Sequence, residues 1–169
     1  MAPIERDLRI GRPGDVDREK PVLILMVGLP RSGKTTWARQ QDVPVVNPDA
    51  LRLAMHGRPF LTEAEPWIWT MLRTMIKALF LSGHHVVIMD ACNNTRRRRR
   101  DWDNPLWRVA FKNMLPTPSP TPELAAECVR RARATAREDL IAIIDNMVAA
   151  WEPLTPGEGS LLEDLLPEP

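Results

Sequence analysis

PVLILMVGLPRSGKTTWAR, residues 21–39, decides how the rest of the chain is read. PVLILMV at 21–27 is a continuous apolar run bounded by turn residues, the pattern of a strand buried on both faces. Gly28 to Gly33 reads as a loop, and Thr35 to Gln41 begins a helix. GLPRSGKT at 28–35 matches G-x-x-x-x-G-K-[ST] in the strand, loop, helix context that gives the motif its meaning. Gly28 and Gly33 let the backbone turn tightly, so that several N–H groups converge on one anion. The following helix adds its positive dipole end at the same point. The expectation is a phosphate cradle formed by Gly28, Pro30, Arg31, Ser32 and Gly33. Lys34 reaches the β- and γ-phosphates of ATP, Thr35 offers its hydroxyl to Mg2+, and Thr36 bonds an α-phosphate. Arg31 has two open readings, a donor-phosphate contact or simple exposure.

Working outward, strands and helices alternate. VPVVN at 43–47 reads as a strand and Asp49 to His56 as a short helix, with Pro48 near its first turn and Gly57 past its end. Glu63 to Leu81 is a long helix with Ile68, Met71, Leu72, Met75, Ile76 and Leu79 at helical spacing. HVVIMD at 85–90 is a third strand, Thr95 caps an Arg-rich helix, and WRVAFK at 107–112 is a fourth strand. PTPSPTP at 116–122 is a connector, read as a hinge. Helices follow at about 122–135 and 137–151, then a Pro- and Gly-punctuated tail. The organisation expected is a flexible lead-in over 1–20, with a short pairing segment around Leu8–Ile10, a kinase domain over 21–151 and a tail over 152–169. The fold class is α/β: a three-layer P-loop NTPase with a mostly parallel sheet of four to five strands and a C-terminal helical lid over about 122–137.

Ligands of such sheets bind beyond the carboxyl ends of the strands. That rule singles out Gly28 onward, Asn47 to Arg52 and Asp90 to Asn94. Asp90 ends its strand where an acid that manages Mg2+ usually sits; the plainer reading is an Asp that caps a turn. Asp49 and Arg52 share a helix face at i and i+3. Asp49 could take a proton from an acceptor hydroxyl and Arg52 could grip an acceptor phosphate bidentately. Equally, Asp49 could serve the helix dipole and pair with Arg52. No guanine-specific N-K-x-D motif is present, which weakens a GTPase reading.

Composition sets the outer bounds. The chain has 169 residues and a net charge of +1, enough to bury one core and too little charge for a whole-protein field that recruits nucleic acid. Cys92 and Cys128 have neither disulfide-framework nor metal spacing, which suits a cytoplasmic protein. The N-terminus has no apolar h-region, and Val22 to Val27 is too short to span a bilayer, so no membrane partner is expected.

GLPRSGKTTWAR, NPDALR and DACNNTRRRR, in this order and spacing, resemble the polynucleotide kinase-like P-loop family, the bacteriophage 5′-hydroxyl polynucleotide kinase type. The resemblance covers roughly residues 21–159, including AREDLIAIIDNMVAAWEPLTPGEG. It implies that Asp49 is the general base, Arg52 the acceptor clamp, and Lys34 with Thr35 the donor-site pair. It also implies a lid arginine that reaches the transferring phosphoryl group. CVRRARATAR at 128–137 offers Arg130, Arg131, Arg133 and Arg137, with Arg133 favoured and Arg130 second. The function implied is ATP-dependent transfer of a phosphoryl group to a hydroxyl of a nucleic acid or nucleotide, the 5′-hydroxyl of a polynucleotide first. A hydroxymethylated base in DNA, a nucleotide sugar or a small metabolite is the alternative acceptor, and a non-catalytic ATP-binding module is the reading of another class. The oligomeric state is left open.

Three further features carry two readings each. Arg96 to Arg100 is a nucleic-acid patch or a solvated helix face paired with Asp101 and Asp103. Trp67 and Trp69 line a substrate groove or pack on the core. His84 and His85 read as turn and strand-edge residues with no third ligand spaced to join them.

Overall fold

The computed structural model describes residues 20–165; the expected pairing segment Leu8–Ile10 and residues 166–169 lie outside them. The chain folds as β1 (Val22–Val27), α1 (Lys34–Arg39), β2 (Val45–Val46), α2 (Pro48–His56), a 3-10 turn (Thr62–Ala64), α3 (Glu65–Leu81), β3 (Val86–Met89), α4 (Arg96–Arg100), β4 (Arg108–Asn113), α5 (Pro122–Ala134), α6 (Asp139–Ala149), β5 (Ser160–Leu161) and α7 (Leu162–Leu165). The sheet has five strands in the order β2-β3-β1-β4-β5, and every pairing is parallel. This is the α/β fold expected, with helices covering both faces of the sheet.

The apolar run of β1 is explained by its central place. Leu23, Leu25 and Val27 point to one face, against Ile68, Leu72 and Ile76 of α3. Val22, Ile24 and Met26 point to the other, against Ala38 of α1 and Leu162 of α7. All six β1 residues are buried, so no position is left for a polar side chain. A third cluster joins Leu29 of the phosphate loop to Cys128, Ala132 and Ile144 of α5 and α6. The helical pair is thereby seated over the loop. No helix among the described residues is long and apolar enough to cross a membrane.

Element limits shift from expectation for local reasons. The second strand shortens to two residues because only Val45 and Val46 find partners, Ile88 and Met89. The long helix is preceded by a 3-10 turn, with Pro66 in its first turn. The larger surprise lies in the tail. Ser160 and Leu161 pair with Ala110 and Phe111, and Leu162 is buried in the core. At Gly159, φ is +157°, and a Cβ there would come within 2.7 Å of the Phe111 ring and 3.0 Å of the Val109 carbonyl oxygen.

The arginine run holds this tail. Arg99 is buried, and its guanidinium uses all five N–H donors. Nε and Nη2 donate to Glu158 at 2.6 and 3.2 Å, Nη1 to the Asn93 and Glu152 carbonyls at 3.3 and 2.9 Å, and Nη2 to the Pro153 carbonyl at 3.2 Å. Arg96 adds its backbone N–H to Glu152 at 2.5 Å and its Nη2 to Thr155 at 2.9 Å. Two of the five arginines are therefore internal clasps, which neither sequence reading anticipated. Burial alone would raise the Glu158 carboxyl, but hydrogen bonds from Arg99 and Thr155 and the Arg99 charge outweigh it and hold it at about 2.

Removing one partner of a buried pair strands the other charge, so Arg99→Ala should cost about 3–5 kcal/mol of stability in urea melts at pH 7. The Glu158 carboxyl titrates lower folded than unfolded. The stability it contributes is complete above its ordinary 4.5 and is lost as pH falls through about 2. The variant should therefore lose less stability than the parent between those values; parallel pH profiles would contradict the clasp.

Candidate active site

The site gathers at the carboxyl ends of β1, β2 and β3, where parallel strands leave backbone groups unpaired. Gly28 follows β1 directly, and its N–H donates to the Cys92 carbonyl at 3.1 Å. A Cβ on Gly28 would sit 2.7 Å from Ser32 Oγ and 3.1 Å from Met114 Cβ, so the loop closes this tightly only around glycine. Gly33 turns into α1 with φ +95°, and Arg31 is also left-handed at φ +67°. Lys34 is buried and folds back along the loop, donating to the Leu29 and Gly28 carbonyls at 2.6 and 3.2 Å. Ser32 Oγ and Arg31 Nε are buried without a hydrogen-bond partner. Orphaned polar groups in a glycine-closed cradle fit an anionic group with its own acceptors, as nucleotide phosphates have. Pro30 completes the loop, and Thr36 is exposed on α1.

Thr35 Oγ1 donates to Asp90 Oδ2 at 2.6 Å. Asn47 Nδ2 donates to the same oxygen at 2.8 Å and to the Asp90 carbonyl at 3.2 Å. Asp90 is buried, and its N–H is tied to Val46 at 2.9 Å. A hydroxyl and a carboxylate brought together this way form a hard oxygen pair that suits Mg2+, with phosphate and water oxygens completing the shell. No cluster of three or more acidic, His or Cys ligands occurs among the described residues.

Asn47 also starts the acceptor side. Its Oδ1 accepts from the Ala50 N–H at 2.9 Å, capping α2 behind Pro48. Asp49 projects from the first turn with 77% of its side chain exposed. Arg52 Nη1 donates to Asp49 Oδ1 at 2.6 Å, while its Nε and Nη2 meet the two Glu65 oxygens at 2.7 Å each. The guanidinium lies 5.8 Å from the Phe60 ring centroid and 5.9 Å from that of Trp69. The Glu65 hydrogen bonds, then the Glu65 and Asp49 charges, raise the Arg52 pKa against its burial. The fork that sequence reading assigned to an acceptor phosphate is thus held by Glu65, and one Nη1 N–H orients Asp49. Glu65 lies thirteen residues from Arg52, at a helix start where sequence offers only a dipole role. Phe60 likewise gave no sequence signal, whereas Asn47 lay in the singled-out strand end but without a named role. Trp69 packs beside Trp102, whereas Trp67 is 68% exposed.

The lid touches the cradle directly. Arg31 Nη2 donates to Thr135 Oγ1 at 2.7 Å, and Arg131 Nη1 donates to the Arg31 carbonyl at 3.1 Å. Arg130 and Arg131 both bond Glu127, and Arg133 is exposed on α5. Arg137 lies in the turn between α5 and α6 and bonds Asp139 at 2.9 and 2.8 Å. Its pKa is raised by that hydrogen bond first, with the Asp49 charge also contributing.

Residues 23–154 match the AAA domain family. One solved chain, from a Pnkp1/Rnl/Hen1 complex, is 30% identical with a TM-score of 0.55, over 66% of this chain and 39% of its own length. A second, from the Pnkp1/Rnl/Hen1 RNA repair complex, is 24% identical with a TM-score of 0.56, over 83% and 50%. The fold is also shared with APE1195, at 21% identity and a TM-score of 0.51 over 85% and 84%. The chain thus spans half or less of the first two relatives. No curated protein gives a significant match. With its P-loop fold, which implies nucleotide binding, the chain belongs to the AAA domain family.

Proposed function

We propose that the protein is an ATP-dependent, Mg2+-assisted kinase that phosphorylates a hydroxyl of a nucleic acid or nucleotide, the 5′-hydroxyl of a polynucleotide first. The observation that carries this reading is the Glu65–Arg52–Asp49 chain, which holds an exposed carboxylate by a charged hydrogen bond of 2.6 Å one strand away from the cradle. Lys34 leaves the Leu29 and Gly28 carbonyls for the β- and γ-phosphates, and the loop N–H groups, Arg31 and Ser32 complete the donor clamp. Thr35 and Asp90 would hold Mg2+, which when bound neutralises charge on the phosphate oxygens. Asp49 accepts the proton of the acceptor hydroxyl as that oxygen bonds the γ-phosphorus. The bond from the γ-phosphorus to the bridging oxygen breaks, and ADP leaves with the electron pair. A lid arginine, Arg133 first with Arg130 second, and Arg131 and Arg137 as the further candidates, stabilises charge on the transferring group. Catalysis here is positioning and electrostatic stabilisation.

The test offers γ-labelled ATP and Mg2+ with 5′-hydroxyl DNA, 5′-hydroxyl RNA, hydroxymethyluracil DNA, nucleotide sugars and small polyols. Label at a 5′ end is the expected result. Label at an internal base, a sugar nucleotide or a polyol moves the acceptor to that class, and nucleotide binding without any transfer removes the kinase reading.

A further inference from the structure

A cavity of about 290 Å³ opens between α4 and α6, lined by Asn94, Thr95, Arg98, Ile143, Asn146 and Met147 with Ala150. Nothing in the proposed chemistry uses it. Asn94 lies four residues beyond Asp90, so chain reach places it within roughly 14 Å of the Thr35–Asp90 pair. One end of the cavity is cationic. The guanidinium groups of Arg96 and Arg99 both pair with Glu158, but Arg97, Arg98 and Arg100 are exposed. Arg98 is the one of these that faces the cavity. Its side chain bonds a neutral partner, Asn94 Oδ1, at 3.2 Å, which leaves its charge uncompensated, and no carboxylate lines the cavity.

The other wall is apolar. Ile143 and Met147 on α6 and Ala150 just past its end recur at helical spacing, and Ile143 is 40% exposed while the adjacent Ile144 is fully buried. The helix therefore turns one apolar stripe to the core and a second toward this cavity. Asn146 adds a carboxamide to the lining. A guanidinium for a phosphodiester, a flat apolar wall for a base or sugar, and a carboxamide for hydrogen bonds together match one nucleotide unit.

We infer that this cavity binds a nucleotide of the acceptor strand, downstream of the reacting end, and so selects single-stranded polynucleotide over a mononucleotide. The inference rests on the kinase reading for its orientation but not for its measurement. The probes are 3′-fluorescein, 5′-phosphorylated single-stranded ten-mers of DNA and of RNA, which cannot accept a phosphoryl group at the 5′ end. Anisotropy titrations should show Arg98→Ala weakening binding about 10-fold. The slope of log affinity against log salt should fall by about 0.7, as for one lost phosphate contact. Ile143→Asp should weaken binding at least as much, because a carboxylate enters the wall. Arg97→Ala, on an exposed arginine outside the cavity, should stay within about twofold of the parent.

Arg98 and Ile143 lie at the surface, so unchanged melting temperatures will show that both variants fold. Equal losses for Arg97→Ala and Arg98→Ala, or unaltered binding by Ile143→Asp, would overturn the subsite. Arg98-dependent binding without turnover on any 5′-hydroxyl strand removes the kinase reading and leaves the subsite standing. Turnover with binding indifferent to both variants does the reverse.

Discussion

Lys34→Ala is expected to reduce phosphoryl transfer by about 1,000-fold or more while the protein still unfolds cooperatively. Lys34 is buried, yet its ammonium bonds only loop carbonyls, of Leu29 and Gly28. Both bonds are buried, so the substitution leaves two carbonyls without that donor and should cost about 1–3 kcal/mol of stability. The loss to catalysis is larger, because no other cation in the loop occupies that place. Arg31, the nearest alternative, has Nη2 bonded to Thr135 and stands toward the lid. The measurement is single-turnover transfer from γ-labelled ATP beside a thermal melt. Full turnover in the variant would remove Lys34 from the donor clamp.

Asp49→Asn separates the acceptor side from the donor side. The substitution keeps shape and keeps an oxygen to accept the Arg52 bond, so α2 and the Glu65–Arg52 pair should persist. It removes only the ability to take a proton. Turnover should fall about 100- to 10,000-fold, while nucleotide affinity, set by the loop one strand away, changes little. The check is turnover together with equilibrium titration of a nucleotide. Equal losses in both would assign Asp49 to nucleotide binding or to structure. A further readout distinguishes a base from an anchor: Glu65→Gln weakens the grip on Arg52 without touching the carboxylate that moves the proton. It should therefore lower turnover less than Asp49→Asn does.

The two halves of the site differ in how readable they were. The cradle is local: eight consecutive residues, a buried strand before and a helix after, with Gly28 and Gly33 at the points of closure. The strand to which Asp90 belongs was legible for the same reason, as a short apolar run ending in an acid. The Thr35–Asp90 hydrogen bond was not, since it joins residues 55 apart. The Arg52 partnership illustrates the limit more sharply. Spacing suggested the Asp49 contact, which lies on one helix face, but gave no hint that Glu65 would take the rest of the guanidinium.

Arg99 shows how a pattern can mislead. Five consecutive arginines look like surface charge, because desolvating a guanidinium is costly unless every donor is met. Here every donor of Arg99 is met, by Glu158 and by carbonyls of Asn93, Glu152 and Pro153 that lie near or far in sequence. The same clasp explains why the tail supplies a fifth strand. A two-residue strand carries no period of its own, and β5 exists because Gly159 and the Arg99–Glu158 pair bring it to the edge of β4.

The sequence alone determined the α/β class, the parallel sheet and the phosphate cradle, because each rests on hydrophobic period or on contiguous backbone geometry. Only the tertiary structure decided which charges pair and which arginine of α4 remains turned to a cavity. Those outcomes depend on side chains from distant elements meeting in a low-dielectric space, where the partner that arrives, rather than the residue type, sets the role.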